Sequence, residues 1–202
     1  MIYDEDYYER GVETGRSLYS NFRWMPELTI PLAYEMIKVL KLNDGDKVLD
    51  YGCAKGYLVK ALRLLQIDAM GYDISEYAIG KADADVKEHV GNTLPNMMFH
   101  AVIAKDVFEH MTEEQVKKAL ASLALITNQL FIIVPLGDGE KYTIPSYELD
   151  ETHVLRKPLQ WWAETMINCG YDVDARYKRG NIKSNWIEGK CQGNGFIVGK
   201  IR

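Results

Sequence analysis

Apolar residues recur along this chain in two ways, as short unbroken runs and as positions spaced three or four apart. The runs are Val48-Leu49, Ala69-Met70, Phe99–Ala104 and Leu130-Phe131-Ile132-Ile133-Val134, with Pro135 ending the last. Runs this short with no polar alternation read as parallel strands covered on both faces. Helical spacing lies between them. Leu28, Ile30, Leu32, Ala33, Met36, Ile37 and Leu40 predict an amphipathic helix from Pro26 to Leu42, ended by Asn43-Asp44-Gly45. Tyr57, Leu58, Ala61, Leu62, Leu64 and Leu65 predict a second, and Ser75 can cap a third through Tyr77, Ala78 and Ala82. Thr112-Glu113-Glu114-Gln115 opens a helix over 112–126 with a capping-box pattern, and Gly170 stops one over 158–169. A third strand is expected at Val86–Val90, and Tyr171–Tyr177 and Gly195–Ile201 read as a final pair of strands joined as a hairpin. Strands alternating with helices in this way predict an α/β fold with seven strands.

The first strand runs into Asp50-Tyr51-Gly52-Cys53-Ala54-Lys55-Gly56, where small residues sit at the switch from strand to helix. Backbone without side chains can approach a ligand there, and the next helix offers unpaired N–H groups. The spacing of Gly52, Ala54 and Gly56 is one residue shorter than the dinucleotide pattern G-x-G-x-x-G, which disfavours an NAD-binding domain. The second strand ends in Asp73, whose carboxylate can accept hydrogen bonds from both ribose hydroxyls of a nucleoside.

VLDYGCAKG followed by GYDIS resembles motif I and the second-strand acidic residue of the class I S-adenosylmethionine (SAM) dependent methyltransferases. Asp106-Val107-Phe108-Glu109-His110-Met111 resembles the D-V-L-E-H block of the small-molecule branch of that family. Ala54 departs from the pattern where a middle glycine is common. The resemblance implies a Rossmann-like sheet of order 3-2-1-4-5-7-6 with strand 7 antiparallel and helices on both faces. It implies SAM as cofactor and S-adenosylhomocysteine (SAH) as product. The cofactor would lie against Asp50, Gly52, Cys53, Ala54, Gly56, Asp73 and Ile74, with Asn92 on the adenine amino group. Lys105 and Asp106 would border the methionine part and the transferable methyl. In such proteins the segment before motif I often covers the cofactor, so residues 1–44 are expected to form a helical cover on a single domain spanning 1–202, with Tyr8, Tyr19 and Trp24 as lid candidates.

Composition narrows the picture. The 202 residues are 47% hydrophobic, enough for one well-buried core, and a net charge of −5 with pI near 5.4 makes nucleic acid no default partner. No apolar stretch is long enough to span a bilayer, and MIYDEDYYER is acidic where a signal peptide would be basic then apolar, so a cytoplasmic protein is expected. Cys53, Cys169 and Cys191 have no metal-ligand spacing, and no metal is expected. Cys53 reads as a small polarizable side chain packed beneath the turn.

Ligands of an open α/β sheet bind beyond the carboxyl ends of the strands, where the strand order reverses. SAM over strands 1 to 3 leaves the acceptor over strands 4 and 5, near Asp106, Glu109, His110 and the irregular stretch Leu136–Lys157, which carries Tyr142, Tyr147, Asp150 and His153. Methyl transfer from a sulfonium needs alignment and exclusion of water, and a general base only for a hydroxyl or a protonated amine. His110 and His153 can serve as that base, with Asp106 beside them. Tyr8, Trp24, Glu109, Tyr142 and Trp186 are candidate acceptor contacts. The final hairpin carries Arg176, Lys178, Arg179, Lys183 and Lys190, a cluster that suits a phosphorylated or nucleotide-linked acceptor. The expected reaction is methylation of a small molecule, at oxygen of a sugar or of a nucleotide-linked or phosphorylated metabolite. Two alternatives stay open, methylation of a protein or nucleic acid and a SAM-binding sensor or partner subunit without turnover.

Overall fold

The computed structural model describes residues 2–183 and 192–202. Seven strands form one sheet: β1 (Lys47–Tyr51), β2 (Asp68–Tyr72), β3 (Val90–Gly91), β4 (Ala101–Lys105), β5 (Gln129–Pro135), β6 (Tyr171–Arg176) and β7 (Asn194–Ile201). Their order is β3-β2-β1-β4-β5-β7-β6, as expected. Pairings among β1 to β5 are parallel, with Val48 opposite Ala69 and Ile103 opposite Phe131. β7 runs antiparallel to both neighbours, Ile132 facing Ile197 and Ala175 facing the same residue from β6.

The unbroken apolar runs are explained by two cores. Leu130, Ile132 and Val134 of β5 join Leu49, Val102 and Ala104 on one face of the sheet, against helices α6 (Glu113–Leu123) and α7 (Leu159–Asn168). Phe131 and Ile133 point the other way, with Val48, Ala101 and Ile103, toward α3 (Pro26–Leu40) and α4 (Tyr57–Leu64). Alternation is present in space and hidden in sequence because both faces are covered. Pro26 sits in the first turn of α3 and Lys41, with φ 55°, closes it. Thr112 and Gln115 make the reciprocal capping box that starts α6. His100, whose Nδ1 accepts from the Lys47 amide at 2.9 Å, fastens the amino end of β1 to the chain before β4.

The third strand differs from its expected bounds. Lys87–His89 forms a single 3-10 turn, and only Val90 and Gly91 pair with β2. Three consecutive polar residues cannot alternate between a buried and a solvated face, and Val86 instead turns into the core, 2% exposed. The N-terminal segment forms short helices α1 (Glu5–Glu9) and α2 (Gly11–Thr14), and α5 (Glu76–Gly80) follows β2. Among the described residues no helix is long and apolar enough to cross a membrane.

Candidate active site

The carboxyl ends of β1, β2 and β4 open into one cleft of about 1330 Å³, roofed by the N-terminal segment and bounded by the loops after β4 and β5. Its floor begins at the turn after β1. The amides of Gly52 and Cys53 both donate to the Tyr72 carbonyl, at 2.7 and 3.1 Å, which ties this turn to the end of β2. Gly52 has φ 86°, and a Cβ there would lie 2.3 Å from Val107 Cγ2, so only glycine lets the post-β4 loop close over the turn. Cys53 packs against Gly71, and burial pushes its thiol far above the usual range.

Asp73 stands at the cleft wall with each oxygen fixed by one backbone donor, Ala54 N at 2.7 Å and Ser75 N at 2.8 Å. Each oxygen retains lone-pair capacity for a further donor. Asp50, 4% exposed, has its carboxyl raised to about 7 by burial, with Lys105 opposing and Asp73 reinforcing.

The roof is fastened at several points. Lys55 of the β1 turn is buried and donates to the Glu9 carboxylate and to the Phe22 carbonyl, and Tyr77 donates to the same Glu9 oxygen. Ser75 Oγ donates to the Tyr3 carbonyl at 2.6 Å. Tyr8 stacks between Tyr19 and Tyr77, with ring centroids 6.1 and 6.2 Å away. On the opposite side Tyr7 donates to Asp150 at 2.8 Å, and Arg16 bridges Asp4 and Glu151.

Beyond β4, Asp106 sits at φ 55° between two ammonium groups, Lys105 at 2.6 Å and Lys183. Burial alone would raise this carboxyl; the two lysines outweigh it and hold it well below the ordinary range. Glu109 is 0% exposed, its carbonyl accepts from the amides of Val154 and Leu155, and neither carboxylate oxygen has a hydrogen-bond partner among the described residues. Burial, then the charge of Asp106, raises its carboxyl well above the usual value. His110 and His153 meet edge to face, ring centroids 4.7 Å apart. Burial, then the neighbouring His153, lowers His110 to about 4, and burial also lowers His153. Thr152 gives its hydroxyl hydrogen to Asp150 at 2.6 Å, so its oxygen accepts from His110 Nδ1 at 2.7 Å. His153 Nδ1 donates to the Tyr147 carbonyl at 2.8 Å. Among the described residues neither Nε2 has a hydrogen-bond donor, and that of His153 lies 3.9 Å from Asp150 Oδ2.

The fold thus gathers Asp50, Gly52, Cys53, Ala54, Asp73, Ile74, Lys105, Asp106, Glu109, His110, His153 and Tyr8 along this cleft. Four expected residues lie outside its lining. Gly56 turns the chain beneath it, near Val90. The Asn92 amide donates to the Asp73 carbonyl at 2.8 Å. Trp24 packs on Tyr57 under the Lys60 ammonium, and Tyr142 is buried, its hydroxyl donating to Leu155 O. Trp186, Lys190 and Cys191 lie outside the described residues. Arg176 and Arg179 of the basic hairpin pair with Asp174. Sequence reading missed Lys55, Glu9 and Thr152 here, and placed Asp150 only on the irregular stretch near the acceptor, with no role. The tyrosine density of residues 3–19 was the one signal that something packs here.

A family model described as a methyltransferase domain matches residues 28–174. No curated protein sequence matches the chain. Among solved structures, a SAM-dependent methyltransferase from Archaeoglobus fulgidus superposes with TM-score 0.66 at 19% identity, over 87% of this chain and 94% of that one. A Haloferax volcanii methyltransferase in complex with the Trm112 methyltransferase activator gives 0.64 at 17% identity, over 87% and 90%. Magnesium protoporphyrin IX methyltransferase from Synechocystis, with bound SAM, gives 0.60 at 14%, over 86% and 79%. At such identities the structural likeness speaks to the fold, and the match over residues 28–174 speaks to the family. The chain belongs to the methyltransferase-domain family and has the Rossmann-like fold of class I SAM-dependent methyltransferases.

Proposed function

We propose that this protein transfers the methyl group of SAM to an oxygen of a small acceptor, a sugar or a nucleotide-linked metabolite. The observation that carries this reading is a single cleft running from the Asp73 carboxylate to the His110–His153 pair under a fastened roof. Asp73 fits a ribose, because its two oxygens are held by backbone donors and still have acceptor capacity at the cleft wall. When bound, SAM supplies a methyl on a sulfonium sulfur and leaves as SAH. The chain's own part is to orient the two reactants and exclude water, which the tyrosine roof does by closing the cofactor side. An acceptor hydroxyl would surrender its proton to a free imidazole Nε2, His110 or His153, both of which burial keeps neutral near pH 7. Lys105 and Lys183 both already pair with the one carboxylate of Asp106. A phosphoryl group on the acceptor would compete with that carboxylate for Lys183.

Calorimetric titration with SAH tests the cofactor half without any guess about the acceptor. Micromolar binding is expected, weakened by about 1–3 kcal/mol in Asp73→Ala through loss of hydrogen bonds to a charged group. Folded protein that ignores SAH would overturn the reading. Sugars and nucleotide-linked sugars incubated with SAM, with SAH release as readout, then test the acceptor.

A further inference from the structure

Glu109, His110 and His153 bring one potential ligand atom each to within 4.8 Å of one another at the acceptor end of the cleft. Proximity alone would carry little. The second observation is the Glu109 carboxylate itself, fully buried and aimed into this cluster with both oxygens unpartnered among the described residues. A buried carboxylate in a native fold is ordinarily paired, hydrogen-bonded or bound to a metal. Among the described residues nothing supplies the missing donors. The flanking histidines are turned the wrong way to do so, since each Nδ1–H is committed elsewhere, to Thr152 and to the Tyr147 carbonyl.

That commitment is the third observation. A histidine ligand to a metal typically donates its other ring N–H to a carbonyl, a carboxylate or a similar acceptor, which fixes tautomer and ring orientation. Both histidines here have this arrangement, and the His110 relay extends through Thr152 to Asp150, which Tyr7 of the roof also holds. We infer that Glu109, His110 and His153 form a binding site for a divalent first-row transition cation. Two imidazoles and one carboxylate favour Mn²⁺, Fe²⁺, Co²⁺ or Zn²⁺ over Mg²⁺ and Ca²⁺, which prefer all-oxygen sets. Around such an ion, with bonds of about 2.1 Å, the three atoms would draw to roughly 3–3.5 Å apart. Three protein ligands leave coordination positions open, and the cluster lines the cleft where the acceptor would sit. The inference rests on the methyltransferase reading only for the occupant of those positions, an oxygen of the acceptor. On this arrangement the histidines act as ligands, and a bound cation would lower the pKa of a coordinated acceptor hydroxyl so that its proton passes to solvent water and the oxygen takes the methyl, in place of an imidazole base.

The test uses the full chain, stripped with chelator and dialysed, and follows Co²⁺ by its visible d–d absorption while SAH binding is measured in parallel. Wild type is expected to take up one Co²⁺ with an intense, low-symmetry spectrum that Zn²⁺ displaces. Glu109→Gln, which keeps the side-chain volume, and His153→Asn should each weaken Co²⁺ binding at least tenfold and leave SAH affinity within twofold. Thr152→Val, which removes the acceptor from His110 Nδ1, should weaken it by about tenfold. Wild type that binds SAH but leaves Co²⁺ with its aqueous spectrum would overturn the proposal. So would Co²⁺ affinity unchanged in both Glu109→Gln and His153→Asn. Co²⁺ uptake without SAH binding would uphold the cation site and overturn the cofactor reading instead.

Discussion

Ala54 holds a left-handed backbone, φ 49°, at the position where related turns favour glycine. For an L-residue with a Cβ that conformation costs about 1–2 kcal/mol, of which the greater freedom of glycine in the unfolded chain would cancel a part. Ala54→Gly should therefore stabilise the protein by about 0.5–1 kcal/mol, seen as a higher urea midpoint at unchanged m-value. A midpoint that falls would mean the Ala54 methyl matters more to packing under Tyr8 than its backbone strain does. Asp50 gives a pH signature. Its folded carboxyl is raised to about 7 by burial, so the folded state binds the proton more tightly than the unfolded chain does. The resulting stabilisation is complete below the ordinary carboxylate range and is lost as pH rises through about 7. Asp50→Asn mimics the protonated form and should remove a fall of about 4 kcal/mol between roughly pH 4 and pH 8, read by urea unfolding of both proteins at each end. At this scale the sequence was legible where one residue type answers one local need: Gly52 under Val107, Asp73 at the strand end. It was silent on Thr152 and on the role of Asp150, because a relay from Tyr7 to His110 exists only once the roof is folded.

Elements were read well where a period or a cap is local. α6 begins at Thr112 as its capping-box pattern predicts, the Thr112 amide donating to Gln115 Oε1 at 2.8 Å. Thr112→Ala should cost about 1 kcal/mol by thermal or urea unfolding, with SAH affinity unchanged, because Thr112 is exposed and outside the lining of the cleft, which its partner Gln115 only borders. A loss of SAH binding would show that the cap also holds the loop of Asp106 to His110 in place. The third strand was misplaced because its two paired residues, Val90 and Gly91, are too few to leave a periodic signal. The stretch Leu136–Lys157 was expected to be irregular and is largely so, with a 3-10 turn at Pro145–Leu149. Its fixed form comes from distant partners that no local pattern announces, the Glu109 carbonyl and Arg16 among them.

Across the whole molecule, strand order followed from family resemblance, while the two-faced core follows from the residues themselves. Phe131 is fully buried on the face opposite Leu130 and Ile132. Phe131→Ala should lower unfolding free energy by about 3–5 kcal/mol, and the loss should be the same with either urea or heat as denaturant if the sheet unfolds as one unit. The roof is the feature with the widest reach, since it ties the β1 turn and α5 on one side to the loop of Asp150 and Glu151 on the other. A product held beneath such a cover leaves only as often as the cover lifts, which predicts that opening, and not bond making, sets the turnover clock. Glu9, which holds both Lys55 and Tyr77, is the latch. Glu9→Gln should speed SAH dissociation by roughly tenfold in a stopped-flow chase while association changes little. In a full catalytic cycle the same substitution would make the enzyme faster at saturating substrate and less retentive of its cofactor when substrate is scarce.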